Sequence, residues 1–238
     1  DVAYLDGKTP CLLVARGTYT LMRLIAYQWH DGKLTEVWNW SGQEERPAYR
    51  GQGAHFMHSA DIDGDGRDEV ILGSCVVDDN GNGLWSTGLG HPDKCYVTDL
   101  DPSRPGLEIA YFIEPGHVQN GICVADAKTG KLLWGFNERT YHIGTGMTAD
   151  VDPTNPGYEC WGSEDGRGDP NKVSYNGRPP RWIFSSQGKV LGTYEKVPGT
   201  TTVWWDADPL REITGGGTVS KYQGPTLTRG MQGSQIAW

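Results

Sequence analysis

Residues 59–74 read SADIDGDGRDEVILGS, an acidic stretch that runs into an apolar one. Asp61, Asp63 and Asp65 alternate along it, and Glu69 opens the apolar run. Calcium takes roughly six to eight oxygen ligands, and such a stretch supplies several in one loop. A helix-loop-helix calcium site would need Glu at the twelfth loop position, which is Leu72 here, and EVILG reads as a buried strand. The stretch therefore predicts a calcium loop on a β-hairpin, with a metal-free polar turn as the alternative.

The same pattern recurs along the chain. Each copy has an Asp-x-Asp pair, a turn, and an acidic residue that opens another apolar run. The first Asp stands at positions 61, 99, 150 and 206, so the copies are 38, 51 and 56 residues apart, and a fainter copy has only Asp6. Repeats of this length are typical of solenoids, propellers and arrays. The carboxylates predicted to hold calcium ions are Asp61, Asp63, Asp65, Glu69, Asp99, Asp101, Glu108, Asp150, Asp152, Glu159, Asp206, Asp208 and Glu212.

The segments between the acidic loops read as β-hairpins. LIAYQWHDGKLTEVWNW, ICVADAKTGKLLWGF and WIFSSQGKVLGTYE each place a glycine turn between two apolar stretches. About four short strands in each repeat correspond to one propeller blade. We therefore expect an all-β fold in which residues 1–238 form part of a single β-propeller domain with Asp-rich calcium loops. A β-sandwich is the alternative, but it would not explain the recurring loop.

Composition narrows the possible partners. The formal net charge of −9 argues against nucleic acid, which is bound through basic surface. No window approaches 18 consecutive apolar residues, so no membrane span is expected. The five cysteines each lie in or beside an apolar run and read as small buried side chains rather than a disulfide framework. Trp38, Trp134 and Trp182 are expected in the core, and the chain reads as a piece of a longer protein.

Five blocks resemble, in order, polysaccharide lyase family 11, the rhamnogalacturonan lyases, or a close relative of it. They are RGTYT (16–20), YRGQGAHFMHSADIDGDGRDE (49–69), DDNGNGLWSTGLGHPD (78–93), LDPSRPGLEI (100–109) and DAKTGKLLWG (126–135). The resemblance implies an eight-bladed propeller, of which this chain holds about five blades' worth, with several structural calcium ions. It also implies a pectin-degrading enzyme that is secreted, periplasmic or at the cell surface. Such an enzyme cleaves rhamnogalacturonan I between rhamnose and galacturonic acid by β-elimination.

The resemblance also implies a second kind of metal site. GQGAH contributes His55, GLGHPD contributes His91 and Asp93, and YFIEP contributes Glu114. In the family the matching residues gather around one calcium near the propeller axis. From chemistry alone manganese or zinc would serve as well, because calcium favours oxygen over nitrogen. The alternative is that each histidine is a hydrogen-bonded structural residue.

The chain departs from the family pattern at expected catalytic positions. GTGM places Thr145 where the family carries Arg, and RGMQGS (229–234) stands where a Lys-bearing stretch is expected. An Arg, Lys or Tyr could act as the base, and none is assigned. Arg50 is a candidate substrate-binding residue, or a structural Arg packed between blades. Two functions therefore stay open: a lyase, or a non-catalytic calcium-stabilised propeller that binds an acidic glycan or a protein partner.

Overall fold

The computed structural model describes residues 1–44, 47–167, 179–194, 197–215, 217–223 and 226–227. In these residues the regular elements are β-strands, apart from the 3-10 helix Pro47–Tyr49 and 3-10 geometry at Tyr194. All the strand pairings are antiparallel. The all-β prediction is therefore confirmed. No helix among the described residues is long and apolar enough to cross a membrane.

The strands form successive sheets in chain order, and within each sheet neighbouring strands are consecutive. Sheet 1 contains β1 (Val2–Ala3), β2 (Cys11–Arg16), β3 (Arg23–His30) and β4 (Lys33–Ser41). Sheet 2 contains β5 (Gly53–Ala60), β6 (Glu69–Gly73), β7 (Cys75–Val77) and β8 (Gly83–Ser86). Sheet 3 contains β9 (Pro92–Thr98), β10 (Glu108–Ile113), β11 (Ile122–Asp126) and β12 (Leu132–Gly135).

The later sheets continue the series. Sheet 4 contains β13 (Ile143–Ala149), β14 (Glu159–Glu164), β15 (Arg181–Phe184) and β16 (Val190–Thr193). Sheet 5 contains β17 (Thr202–Val203), β18 (Glu212–Gly215) and β19 (Thr218–Ser220). Sheet 6 pairs β20 (Tyr222–Gln223) with β21 (Thr226–Leu227).

The hydrophobic cores lie between consecutive sheets. Side chains alternate across a strand, so Val70 and Leu72 of β6 pack toward sheet 1 while Ile71 packs toward sheet 3. Strand β10 repeats this, with Tyr111 facing sheet 2 and Phe112 facing sheet 4. Because both faces of the second strand are buried, it reads in the sequence as a continuous apolar run. All five cysteines are buried, and none of them forms a disulfide bond.

A tryptophan on the last strand of a sheet joins it to the next sheet. The indole N–H groups of Trp38, Trp85 and Trp134 donate to the backbone oxygens of Asp79, Ala127 and Ser186 at 2.8, 3.1 and 2.8 Å. Each ring also packs against a turn glycine of that next sheet. A Cβ at Gly81, Gly130 or Gly188 would approach the ring within 2.5–2.7 Å. Trp38, Trp134 and Trp182 are only partly buried and pack against the inter-sheet cores.

The acidic loops occupy one topological position. Residues 61–68, 99–107, 150–158 and 204–211 each connect the first and second strands of a sheet, and Asp6 lies in the matching loop of sheet 1. A hairpin has two ends, so the start of the first strand and the end of the second strand lie together at the end opposite the loop. The first strands β5, β9 and β13 are neighbours. Functional side chains at their starts are therefore brought together, away from the acidic loops.

Candidate metal centre and acidic loops

His55, His91, Asp93 and Glu114 converge at this opposite end. His55 lies in β5, His91 and Asp93 lie at the start of β9, and Glu114 directly follows β10. His91 Nε2 is 3.0 Å from Glu114 Oε2 and 3.5 Å from Asp93 Oδ1. His55 Nε2 is 3.8 Å from the same Asp93 oxygen. Ligand atoms of His55, His91 and Asp93 lie within 4.8 Å of one another, which suits a shared cation, whereas Glu114 approaches this group through its contact with His91.

Backbone contacts hold this group in place. The Glu114 N–H donates to the His91 carbonyl at 2.9 Å, which ties the end of β10 to the start of β9. His91 Nδ1 hydrogen-bonds to the carbonyl of Gly53, so Nε2 is the nitrogen turned toward the carboxylates. The buried Gln52 accepts the Gly90 N–H at 2.9 Å. The imidazole of His91 is 2% exposed and therefore has one fixed orientation.

Two further residues, His142 and Asp165, which the sequence analysis did not single out, complete the cluster. His142, just before β13, places Nε2 3.1 Å from Glu114 Oε1 and Nδ1 3.9 Å from Asp93 Oδ2. Asp165, just after β14, lies 3.2 Å from His142 Nδ1 and pairs with Arg167. Burial opposes ionisation of Asp165, but hydrogen bonds from Arg167 outweigh it and lower the pKa of this carboxyl. We refer to His55, His91, Asp93, Glu114, His142 and Asp165 as the axial cluster.

The repeat register could have found two of these residues. His91 stands eight residues before Asp99, and His142 stands eight residues before Asp150. Glu114 follows Glu108 by six residues, and Asp165 follows Glu159 by six. The pairs His91–Glu114 and His142–Asp165 are therefore equivalent in successive sheets. The signal was present in the sequence, but it appears only when the copies are aligned on their acidic loops.

Tyr19 lies at the exposed side of the axial cluster. Its hydroxyl donates to Glu114 Oε2 at 3.4 Å, and its ring centroid is 4.7 Å from that of His91. Desolvation and then the charge of Glu114 raise the pKa of this phenol, so it remains protonated at neutral pH. The cluster therefore offers carboxylates, imidazoles and a phenol within one small volume.

Unpartnered buried nitrogens indicate that the cluster fits a cation. Among the described residues, His91 Nε2 and both ring nitrogens of His142 have no aligned hydrogen-bond partner, although all three are buried. A buried polar atom without a partner is costly, and bound metal is one of the explanations for it. Three carboxylates face these nitrogens, so a positive ion would satisfy both kinds of group.

The loop at 61–69 is the richest in carboxylates of the four. Asp61, Asp63 and Glu69 bring ligand oxygens within 4.8 Å of one another, and Glu69 forms a second such group with Asp78 and Asp79. Asp65 belongs to neither group, and its Oδ1 accepts the Arg67 N–H at 2.8 Å. Burial raises the pKa of Glu69 to about 7. The sequence analysis missed Asp78 and Asp79, which lie in the hairpin between β7 and β8.

The loop at 99–108 is neutralised by its own arginine. The buried Glu108 accepts the N–H groups of Leu100 and Asp101 at 2.9 and 3.1 Å. The guanidinium of Arg104 lies 3.6 Å from the other Glu108 oxygen and 3.2 Å from Asp126. Asp99, Asp101 and Glu108, all within the described part of the chain, do not form a group with oxygens within 4.8 Å. The structure does not bring these three predicted ligands together.

The loop at 206–212 holds a lysine among its acids. Asp206, Asp208 and Glu212 do converge within 4.8 Å. Lys221 Nζ lies 2.8 Å from Asp206 Oδ2 and 3.5 Å from Glu212 Oε1, and it also pairs with Asp208. Hydrogen bonds to Asp206 and Asp208 raise the pKa of Lys221. The ammonium group therefore occupies the place at which a calcium ion would be held.

The loop at 150–159 has carboxylates without such a basic neighbour. The fully buried Glu159 accepts the N–H groups of Val151 and Asp152 through Oε2 at 3.0 and 2.9 Å. Its Oε1 has no hydrogen-bond partner among the described residues. Asp150, Asp152 and Glu159, which are all described, do not form a group with oxygens within 4.8 Å. Burial raises the pKa of Glu159 to about 8.

We predict that Glu159 makes the stability of the metal-free protein depend on pH. A carboxyl whose folded pKa is about 8, against 4.5 for an ordinary Glu, favours the folded state below pH 4.5 and loses this contribution as pH rises through 8. Glu159→Gln keeps an acceptor oxygen and removes the ionisation. In EGTA, the variant should therefore gain stability over the parent between pH 5 and 8, by on the order of 3 kcal/mol. Chemical denaturation at several pH values measures this, and a constant difference would contradict it.

The sequence analysis also singled out Arg50, Thr145 and the stretch RGMQGS. Arg50 is exposed, on the turn after the 3-10 helix, and its side chain makes no ion pair with a described residue. Thr145 in β13 shares a hydrogen bond of 2.7 Å with Ser163 of β14. A Cβ on the neighbouring Gly144 would meet the Asp165 side chain at 2.8 Å, so Thr145 adjoins the axial cluster. The stretch RGMQGS lies outside the described residues.

Fold and site together define an all-β protein whose successive four-stranded sheets carry a His- and carboxylate-rich centre. The family model described as "Rhamnogalacturonan lyase family 11, C-terminal domain" matches residues 1–232. The chain therefore belongs to this family. The predicted resemblance is thereby confirmed.

Two curated relatives come from Bacillus subtilis (strain 168). Rhamnogalacturonan endolyase YesW is 41% identical over 224 residues, and rhamnogalacturonan exolyase YesX is 42% identical over 212 residues. These alignments cover 93% and 89% of this chain but 33% of either relative, so the chain spans about a third of their length. The crystal structures of YesW and YesX superpose with TM-scores of 0.83 and 0.84, at 38% and 37% identity. Each covers 98% of this chain, and the matched parts are 37% and 39% of those chains.

Proposed function

We propose that this protein is a lyase that cleaves rhamnogalacturonan I between rhamnose and galacturonic acid by β-elimination. The observation that carries the proposal is the axial cluster, in which His91, Asp93, Glu114 and His142 converge from two sheets. Family membership supports the substrate class, because both curated relatives are named as rhamnogalacturonan lyases.

The reaction needs positive charge beside the uronate. Removal of the proton α to the carboxylate creates an enolate-like species, and the glycosidic oxygen at C4 then departs. A divalent cation at the axial cluster would supply charge stabilisation at the carboxylate when bound. It would be held by His55, His91, Asp93 and Glu114, and the family resemblance gives it as calcium. An acidic protein could thereby bind a polyanionic glycan.

Residues of this chain would orient the substrate. Arg167 has a 67% exposed side chain beside Asp165 and adds a guanidinium at the rim of the axial cluster. Because guanidinium groups match carboxylates in geometry, Arg167 is suited to receive the uronate. The positive charge of Arg167 is proposed to replace that of the arginine which the family carries at the position of Thr145. Arg50, on the exposed turn near Tyr19, is proposed as a second substrate-binding residue.

Tyr19 is suited to donate a proton. Its raised pKa keeps the phenol protonated at neutral pH, so the basic phenolate is scarce and a proton is available at the exposed side of the cluster. We assign it to protonation of the departing C4 oxygen.

The proposal extends to the architecture and the location. Sheets that follow one another in chain order, with cores between them and first strands side by side, suit blades of a β-propeller. Structural calcium is proposed at the 61–69 loop, which has more acids than bases. A plant polysaccharide is too large to enter a cell, so the protein is proposed to act outside it.

The test is incubation of the protein with rhamnogalacturonan I and, separately, with homogalacturonan. Ultraviolet absorbance of unsaturated uronate should rise with rhamnogalacturonan I and stay flat with homogalacturonan. Product size then distinguishes endo from exo cleavage. No absorbance change with either polymer would overturn the lyase proposal.

A non-catalytic glycan-binding role is favoured by one observation. Thr145 stands at the family's Arg position and is hydrogen-bonded to Ser163 rather than charged. Retention of rhamnogalacturonan I on the protein without any unsaturated product would establish this second role.

A further inference from the structure

His142 brings a third imidazole into the axial cluster. Its side chain is 9% exposed, and Nε2 is 3.1 Å from Glu114 Oε1. His91 Nε2 approaches the other oxygen of the same carboxylate at 3.0 Å. Two buried imidazoles therefore flank Glu114, one from sheet 3 and one from sheet 4. The third imidazole, that of His55 in sheet 2, approaches Asp93.

The surroundings favour Nε2 as the ligand atom of both buried histidines. When one ring nitrogen of a histidine donates to an oxygen, the other is free to bind metal, and such an outer partner fixes the ring orientation. The Gly53 carbonyl plays this part for His91 Nδ1. Asp165 is placed to do so for His142, since its Oδ2 lies 3.2 Å from Nδ1. Arg167 holds Asp165 in turn, through its backbone N–H at 2.9 Å and its guanidinium.

The donor set differs in kind from that of the acidic loops. The loop at 61–69 offers only oxygen, which suits calcium. The axial cluster offers three imidazoles with Asp93 and Glu114. Imidazole nitrogen suits zinc and other first-row transition metals, whereas calcium takes mostly oxygen ligands.

We propose that His142 Nε2 is a metal ligand, and that with His55 and His91 it makes the axial cluster prefer a first-row transition metal ion over calcium. Asp165 is the positioning residue that orients His142. The loop at 61–69 remains the calcium site. The inference rests on the proposed function, because it concerns the cation of the same centre, and it assigns to that centre a different ion from the calcium that the family resemblance implies.

The alternative role for His142 is that of a protonated counter-ion. Charged imidazole would balance Asp93, Glu114 and Asp165 without binding metal. In that case its removal would leave more negative charge and would raise the affinity for every divalent cation. Metal ligation predicts the opposite for a transition metal, so the two roles give different signs.

The experiment measures metal binding rather than turnover. EDTA-stripped protein, with calcium then restored at a concentration that saturates the loops, is titrated with Zn²⁺ and Mn²⁺ by calorimetry. Zinc content after dialysis is measured by mass spectrometry. The variants are His142→Gln and Asp165→Asn. The control is His30→Gln, which alters an exposed histidine next to the turn between β3 and β4.

We expect the parent protein to bind zinc at one site in the presence of excess calcium. His142→Gln should weaken zinc binding by about a hundredfold, and Asp165→Asn by roughly tenfold, as is usual for an outer partner. His30→Gln should change neither. Cobalt-loaded parent protein should show visible absorption that weakens in His142→Gln, which reports the lost nitrogen ligand.

Three outcomes would overturn the proposal. These are displacement of zinc by calcium in the parent protein, unchanged zinc affinity in His142→Gln, and tighter zinc binding in that variant. Lyase activity is not measured in these titrations. A protein that binds zinc through His142 but leaves rhamnogalacturonan I intact would uphold this inference and refute the lyase function.

Discussion

Replacing Glu114 by Gln is expected to lower kcat/KM on rhamnogalacturonan I by at least about a hundredfold, since even outer partners of a metal site contribute 10–100-fold. Glu114 faces both buried imidazoles, at 3.0 and 3.1 Å, and accepts the Tyr19 hydroxyl. The amide removes a negative charge from the cation site and disturbs the contact with the proposed proton donor. Release of unsaturated uronate, followed by ultraviolet absorbance, measures the loss.

The matched control is Glu36→Gln, the same chemical change at an exposed position in β4. It should leave kcat/KM within about twofold, since surface substitutions away from a site have small effects. His91→Ala is a harsher second variant that should lose turnover or glycan binding and still fold. Melting temperatures of all three proteins separate loss of function from loss of structure. Full activity in a folded Glu114→Gln variant would show that the axial cluster has only a structural role.

The repeat pattern allowed the fold class to be predicted. An Asp-x-Asp loop followed by Glu and an apolar run marks the hairpin of the first two strands in sheets 2 to 5. It does so because the buried Glu closes the loop by accepting backbone N–H groups, as Glu108 and Glu159 do. The apolar run is continuous because both of its faces are buried between sheets. The closing Glu and the apolar second strand can therefore both be recognised in the sequence.

Charge balance in the loops was less predictable. Arg104 lies inside its own loop and could have been noticed as an internal cation. Lys221 could not, because it reaches Asp206 and Asp208 from beyond β19. Whether an acidic loop attracts a metal ion depends on the nearest base in space, and motif spacing does not contain that information. His142 is intermediate, since it needed only the alignment of the copies with one another.

Chelation of calcium is expected to lower the melting temperature by about 5–10 °C. A ligand bound only by the folded state, at a hundredfold excess over its Kd, stabilises that state by about 2.7 kcal/mol. For a domain of this size each kcal/mol shifts the midpoint by roughly 2–4 °C. The loop at 61–69 should account for most of the effect, because Asp61, Asp63 and Glu69 converge there and none of the three forms an ion pair with a described Lys or Arg. Calorimetric scans in calcium and in excess EGTA measure the difference.

The loop responsible can be identified with two equivalent substitutions. Asp63 and Asp208 each stand two residues after the first Asp of their loop, and each accepts a backbone N–H, at 3.1 and 2.9 Å. Asp63→Asn should remove most of the EGTA effect, because it withdraws a charged ligand from calcium. Asp208→Asn should leave the effect intact, because Lys221 already serves as the cation of that loop. Equal loss of the EGTA effect in both variants would show that Lys221 does not replace calcium in its loop. A melting temperature of the parent protein that is the same in calcium and in EGTA would contradict structural calcium at any of the loops.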